Sequence, residues 1–296
     1  MFGFFRKNEK KNDKKIIGNT NIGYDPTVDA DKSLQYKITE VSGFDQLDIT
    51  LEGDGGIYTR AEAQMIMDKT LSVTATIGGK GIIKGLYRSF STGTFFINKI
   101  KPENSDVSGN VSLFSFIPGK IQDIVLKPGD SWCIHNNAFL ACSENITVMT
   151  GVSFQTTFTG NGAFYTKITN ESGKDGIVWL IAYGGVQKRS IANNNNFYVH
   201  SGLFLAMKQS NYEKLQVGLS STVFSTIAGG LGIVMDFSGV QGGEDDVLYL
   251  QTGNLDEFLS FITNQIVPPS SVDSSFFNFI SEGGSKKRTT RRKRTK

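Results

Sequence analysis

Two passages of this chain repeat one phrase 65 residues apart: Trp132-Cys-Ile-His-Asn-Asn-Ala-Phe-Leu-Ala141 and Phe197-Tyr-Val-His-Ser-Gly-Leu-Phe-Leu-Ala206. Each places a histidine, His135 or His200, four residues before Phe-Leu-Ala, after a strand-like run. A duplicated phrase of this length signals a structural repeat, in which one unit buries its apolar face against the next. The same offset sets Pro118-Gly119 over Tyr183-Gly184 and Ile121 over Val186. A fainter third copy lies upstream, where a shift of 75 residues sets Met65 under Leu140 and Arg60 under His135. Uneven spacing of this kind implies modules with loop insertions, not a strict solenoid.

Between the copies the chain is written in short alternating runs. Leu34, Tyr36 and Ile38, then Leu47, Ile49 and Leu51, recur every second residue, as do the apolar positions of 71–77. Period two over four to eight residues is the signature of a half-buried strand. Further strands are predicted over 57–67 (as a pair or one bent strand), 94–100, 111–117, 121–126, 147–150, 152–158, 163–169, 176–183, 186–191 and 247–251. The 33 glycines and 22 phenylalanines against 6 prolines agree with many strands and tight turns. The predicted class is all-β, a sandwich, barrel or related coil of sheet, built as three pseudo-repeated modules. Residues 217–237 read as strand, tight turn, strand. A short helix follows Asn254, which can cap it, with Glu257 in its first turn and Leu255, Phe258, Leu259 and Ile262 on one side. Pro268-Pro269 stops it.

Charge is segregated. Residues 285–296 carry eight Lys/Arg and no acid, and residues 1–15 carry a balance of +4; removing both from the overall +3 leaves −9 for residues 16–284. Residues 1–33 are therefore assigned as a polar basic tail and linker, 34–265 as the repeat-built β body, and 266–296 as a flexible linker and basic tail. Lys286, Lys287, Arg288, Arg291, Arg292, Lys293, Arg294 and Lys296 are the candidate polyanion-binding residues. Eight cations in twelve residues suit phosphate backbone or an anionic membrane surface, and the absence of an aromatic speaks against base-specific reading. The segment also has the composition of a nuclear address. No run approaches 18 apolar residues and no secretory leader is present, so an intracellular location is expected, cytoplasmic or nuclear, with virion or organelle association as alternatives.

Candidate chemistry is sparse. His135 and His200 are the only histidines, and Cys133 alone stands beside one of them, which falls short of a zinc set. Neither Cys133 nor Cys142 sits in a strand-to-helix elbow with a base at hand. Gly78-Gly-Lys-Gly81 and Gly229-Gly-Leu-Gly232 lack the spacing of phosphate loops. Asp54, Asp236, Glu244, Asp245 and Asp246 follow no calcium-loop order and read as acidic surface. No catalytic residue, metal site or cofactor is assigned, and no enzyme activity is expected.

Glu52-Gly-Asp-Gly-Gly-Ile-Tyr58 with Met65, Gly119-Lys-Ile121, the two repeated phrases and Tyr249-Leu-Gln-Thr252 together resemble the AIM24 family, with its tryptophan RNA-binding attenuator-like β fold. The resemblance spans about residues 34–265 and implies a pseudo-threefold arrangement of short double-stranded β-helix or sandwich modules and a β-rich homo-oligomer. It brings no catalytic residues, and one mitochondrial branch of the family is linked to inner-membrane organisation. Three features depart from the pattern: Val199-His200 where relatives tend to read Val-Asp, the long loop 239–246, and the basic segment outside the shared region. A noncatalytic, oligomeric scaffold displaying its basic tail to a polyanion is the leading expectation. A nucleic-acid packaging or localisation protein and a small-ligand or metal-dependent enzyme are the alternatives.

Overall fold

The computed structural model describes residues 34–76, 97–153, 164–192, 196–215 and 234–266. The chain divides into two compact units, Met1–Gly253 and Asn254–Lys296. The first holds three successive modules. Module 1 is preceded by β1 (Leu34–Val41) and comprises β2 (Phe44–Glu52), β3 (Ile57–Arg60), β4 (Gln64–Met67), β5 (Leu71–Thr76), β6 (Ile97–Pro102) and β7 (Ser108–Phe114). Module 2 comprises β8 (Gly119–Leu126), β9 (Ser131–His135), β10 (Phe139–Ser143), β11 (Ile146–Ser153), β12 (Phe164–Asn170) and β13 (Gly176–Tyr183). Module 3 comprises β14 (Val186–Ser190), β15 (Tyr198–His200), β16 (Phe204–Lys208), the short helix α1 (Gln209–Tyr212), β17 (Val234–Asp236) and β18 (Val247–Gln251). In the second unit the described element is α2 (Leu255–Ile266).

One pairing rule recurs in every module. The first strand pairs antiparallel with the last: β2 with β7, β8 with β13, β14 with β18. That last strand pairs on its other side with the third, as β4, β10 and β16 show. The second strand pairs with the fifth: β3 with β6, β9 with β12, β15 with β17. In modules 1 and 2 the fifth also pairs with the fourth, β5 or β11. Each of these two modules is thus a pair of three-stranded sheets. In module 3 α1 follows the third strand, and the described residues hold no fourth strand.

The modules are sewn together by a second rule. The third strand of each later module pairs antiparallel with the second strand of the module before it: β10 with β3, and β16 with β9. Together with a parallel bridge between β2 and β8, these junctions join the sheets into the long strand orders β4-β7-β2-β8-β13-β10-β3-β6-β5 and β11-β12-β9-β16-β18-β14, and leave β15-β17 as a separate ribbon. The starts of the first strands also touch, through parallel bridges Phe44 to Gly119 and Gly119 to Gly184. Gly119 N–H donates to Gly43 O at 2.9 Å and Gly184 N–H to Pro118 O at 3.0 Å. Gly119 has to be glycine here, because a Cβ would lie 1.9 Å from the Ala182 carbonyl oxygen.

Period-two sequence explains the cores. Leu47, Ile49, Leu51, Ile57, Leu71, Ile100, Val111 and Leu113 form the core of module 1. Ile134, Phe139, Ile146, Val148, Ile168, Val178 and Leu180 form that of module 2. The core of module 3 is built from Val199, Phe204, Met207, Tyr212, Met235, Phe237 and Leu248. Strand β13 reads Gly-Ile-Val-Trp-Leu-Ile-Ala-Tyr because both its faces are covered: Val178 and Leu180 point into module 2, whereas Trp179 and Ile181 belong to the core of module 1. Continuous apolar sequence follows from two-sided burial. Tyr36 from β1 meets Trp179 edge-on at 5.2 Å and donates its hydroxyl to Asp123 Oδ2 at 2.7 Å.

Several sequence expectations need adjustment. The 57–67 stretch is two strands split by a turn; of the strands expected over 147–150 and 152–158, the part up to Ser153 is a single strand, β11, with an irregularity between Met149 and Val152, and residues 154–158 lie outside the described residues. Strand β6 continues through Pro102, where a loop was expected; Pro102 lies opposite Leu71. Helix α1 was not foreseen, since four residues carry too little period to register. Helix α2 begins where expected, with Asn254 Oδ1 accepting from Glu257 N–H at 3.4 Å. Of the 217–237 hairpin, Val234–Asp236 is strand and residues 217–233 lie outside the described residues. Among the described residues no helix is long and apolar enough to cross a membrane.

Candidate functional site

The matched histidines are turn-builders. His135 ends β9, and its Nδ1 accepts from Asn137 N–H at 3.3 Å; His200 ends β15, and its Nδ1 accepts from Gly202 N–H at 3.1 Å. Each side chain therefore satisfies a backbone donor two residues on, in the turn that leads into Phe-Leu-Ala. Arg60 occupies the same place at the end of β3 and bonds its own residue two on, Glu62, at 2.9 Å. Backbone geometry agrees as well: Ala63 N–H donates to Arg60 O and Ala138 N–H to His135 O, both at 3.0 Å. The repeated phrase is a strand, turn, strand corner used three times.

Both cysteines are free and fully buried. Burial pushes the Cys133 thiol up to about 12 despite its hydrogen bond with Tyr165, and burial alone raises Cys142 further. A thiol held protonated in this way is a poor nucleophile and a poor metal ligand. Among the described residues no group of three or more His, Cys, Asp or Glu is placed to hold a metal ion.

The acidic loop is more built than its composition implied. Asp246 pairs with Lys208 Nζ at 2.8 Å and accepts from Asn211 Nδ2 and Gly243 N–H, each at 2.8 Å. Burial works against its ionisation, but these three donors outweigh burial and hold the carboxyl at about 2. Backbone bonds from Ile191 N–H to Asp246 O and from Gly242 N–H to Ile191 O tie the same loop to the end of β14. Asp236 accepts from Ser238 N–H and Oγ, and so closes the turn after β17. These carboxylates are committed to loop structure.

The candidate cations Lys286, Lys287, Arg288, Arg291, Arg292, Lys293, Arg294 and Lys296 lie outside the described residues, as do Gly78-Gly-Lys-Gly81 and Gly229-Gly-Leu-Gly232. What the sequence did not single out is a set of apolar side chains open to solvent in the β body. Ile66 in β4 is 68 % exposed and Tyr198 in β15 is 53 % exposed, with Val41, Phe44 and Val73 following. No local pattern marks Ile66 or Tyr198, because each looks like any strand residue. Only the repeat alignment sets them beside buried counterparts.

Fold and side chains together define a class: a tandem three-module β protein in which, among the described residues, the matched histidines, Asp236 and Asp246 are spent on turns and loops and strand edges expose apolar side chains. The chain belongs to the AIM24 family; the family model, described as mitochondrial biogenesis AIM24, matches residues 36–251. Among solved structures it is similar to the X-ray structure of a protein from Streptococcus pyogenes, with 18 % identity and a TM-score of 0.59 over 79 % of this chain and 100 % of that one. At that identity the likeness shows the fold alone. No curated protein matches the chain.

Proposed function

We propose that this AIM24-family protein is a noncatalytic interaction scaffold, oligomeric through its β body, that presents the basic segment 285–296 to a polyanion. The observation that carries the reading is charge segregation: eight Lys/Arg in residues 285–296 against −9 over residues 16–284. An acidic body repels a phosphate-bearing surface while the basic segment attracts it, so contact is confined to that segment. The turn-capping histidines, protonated thiols and loop-bound Asp246 support a body that serves architecture. Several basic segments on one oligomer raise the effective concentration at a polyanion without requiring sequence-specific contacts.

Deletion of residues 286–296 tests the reading, with binding to duplex DNA, RNA and anionic phospholipid vesicles measured across a salt series. The full chain is expected to bind at least one polyanion, with affinity falling steeply as salt rises, and the deletion to abolish that binding. A preference for nucleic acid over vesicles favours packaging or localisation with a genome or RNA. Unchanged binding after deletion would overturn the reading.

A further inference from the structure

We propose that β4 of one copy pairs antiparallel with β15 of a second copy, in the register this chain uses twice internally. The inference rests on the oligomeric reading above and names its interface. At the junction of modules 1 and 2, Ala141 lies opposite Thr59, Cys142 opposite Tyr58 and Ser143 opposite Ile57. At the junction of modules 2 and 3, Ala206 lies opposite Ile134, Met207 opposite Cys133 and Lys208 opposite Trp132. Repeat offsets of 75 and 65 superpose these two sets residue for residue.

The series leaves two unlike edges over. Strand β4 is a third strand whose described strand partner is β7, and β15 is a second strand whose described partner is β17. The edge each of them would use at a junction carries no described strand. Continuing the register sets Ile66 opposite Val199, Met67 opposite Tyr198 and Asp68 opposite Phe197.

Burial marks the same residues. At the formed junctions Ala141, Cys142, Ala206, Met207 and Cys133 are 0 % exposed and Tyr58 is 4 %, whereas their counterparts Ile66 and Tyr198 are 68 % and 53 % exposed. Charge is complementary too: exposed Asp68 falls opposite Phe197, over whose ring the Arg189 guanidinium lies at 3.8 Å. Unpaired strand edges with apolar side chains are templates for another strand. Within one chain β4 and β15 are not paired with each other, and the parallel bridges join Phe44 to Gly119 and Gly119 to Gly184 without a return bridge from Gly184 to Phe44. With Ile66 and Tyr198 both open to solvent, each edge is accessible to a second copy. Because the two edges differ, the contact is heterologous, and association proceeds head to tail until it closes.

Native mass spectrometry of the full chain, Ile66→Glu, Tyr198→Glu and their equimolar mixture tests this. The full chain is expected to be larger than one protomer and each variant to be a monomer. The mixture is expected to give dimers and nothing larger, because one variant keeps an intact β15 edge and the other an intact β4 edge. Circular dichroism melts of the variants separate lost assembly from lost fold. Oxidised Met67→Cys and Tyr198→Cys chains supply a second readout: mixed single variants are expected to cross-link between copies. Variants that keep the assembled mass overturn the interface while leaving an oligomer, and a monomeric full chain overturns both; neither touches the salt-dependent binding of segment 286–296. Cross-links confined within chains of the Met67→Cys/Tyr198→Cys double variant show closure inside one protomer and overturn the proposal.

Discussion

The junction between modules 1 and 2 and the edges at which the series ends are made of equivalent strands with opposite fates. Ala141 and Cys142, modest in apolar area, are wholly buried because β3 lies on one side of β10 and β13 on the other. Ile66 and Tyr198 carry more apolar area, yet they face solvent because β4 and β15 lack that second neighbour among the described strands. Burial in this protein is a property of pairing before it is a property of side chains.

The sharpest contrast pits Trp179→Ala against Ile66→Ala. Trp179 is fully buried, lies opposite Ala141 and packs on Tyr36, so truncation is expected to cost about 3–5 kcal/mol in denaturant unfolding. Ile66→Ala in the Tyr198→Glu background, where the proposed pairing is removed, is expected to stay within about 0.5 kcal/mol. Comparable losses at the two sites would break the comparison. Gly119→Ala tests the seam where the first strands meet: overpacking against Ala182 O is expected to cost about 3 kcal/mol, and an unchanged melt would show that the seam yields.

Loop clamping in module 3 gives a smaller, pH-dependent effect. The Asp246 carboxyl is depressed from 3.8 to about 2, so its contribution is present above pH 4 and is lost as pH falls from about 4 through 2. The loss is on the order of 2 kcal/mol, reduced by the partial exposure of Lys208. Urea titrations of Asp246→Asn are expected to show a flatter acid limb over that window. Smallest are the histidine corners. His135→Ala and His200→Ala each remove one side-chain bond to a backbone N–H and are expected to cost about 1 kcal/mol, with Asn restoring part of it. A much larger loss at one histidine alone would mean that the two corners are not equivalent.

The histidines show how far local sequence reaches. Their placement before Phe-Leu-Ala identified the repeat and implied a shared structural role, and Nδ1 supplies that role in both copies. Arg60 was legible as the third corner only by alignment, since its bond to Glu62 replaces the imidazole. Helix α1 and the run of β6 through Pro102 escaped because four residues carry no period and a proline inside a strand reads as an end. Asp246 escaped for another reason. Its partners Lys208 and Asn211 lie more than thirty residues away, and an acidic loop gives no sign of which carboxylate will meet a cation.

By itself the sequence determined the strand period, the modular repeat and the separation of a basic segment from an acidic body, because these are local or compositional and survive in any conformation. Tertiary structure decided which strands became neighbours. Hydrogen bonds between β10 and β3, or between β16 and β9, join residues roughly eighty apart, and nothing local distinguishes a strand that will gain two neighbours from one that will gain one. That is why β4 and β15 read as ordinary strands and emerged as edges.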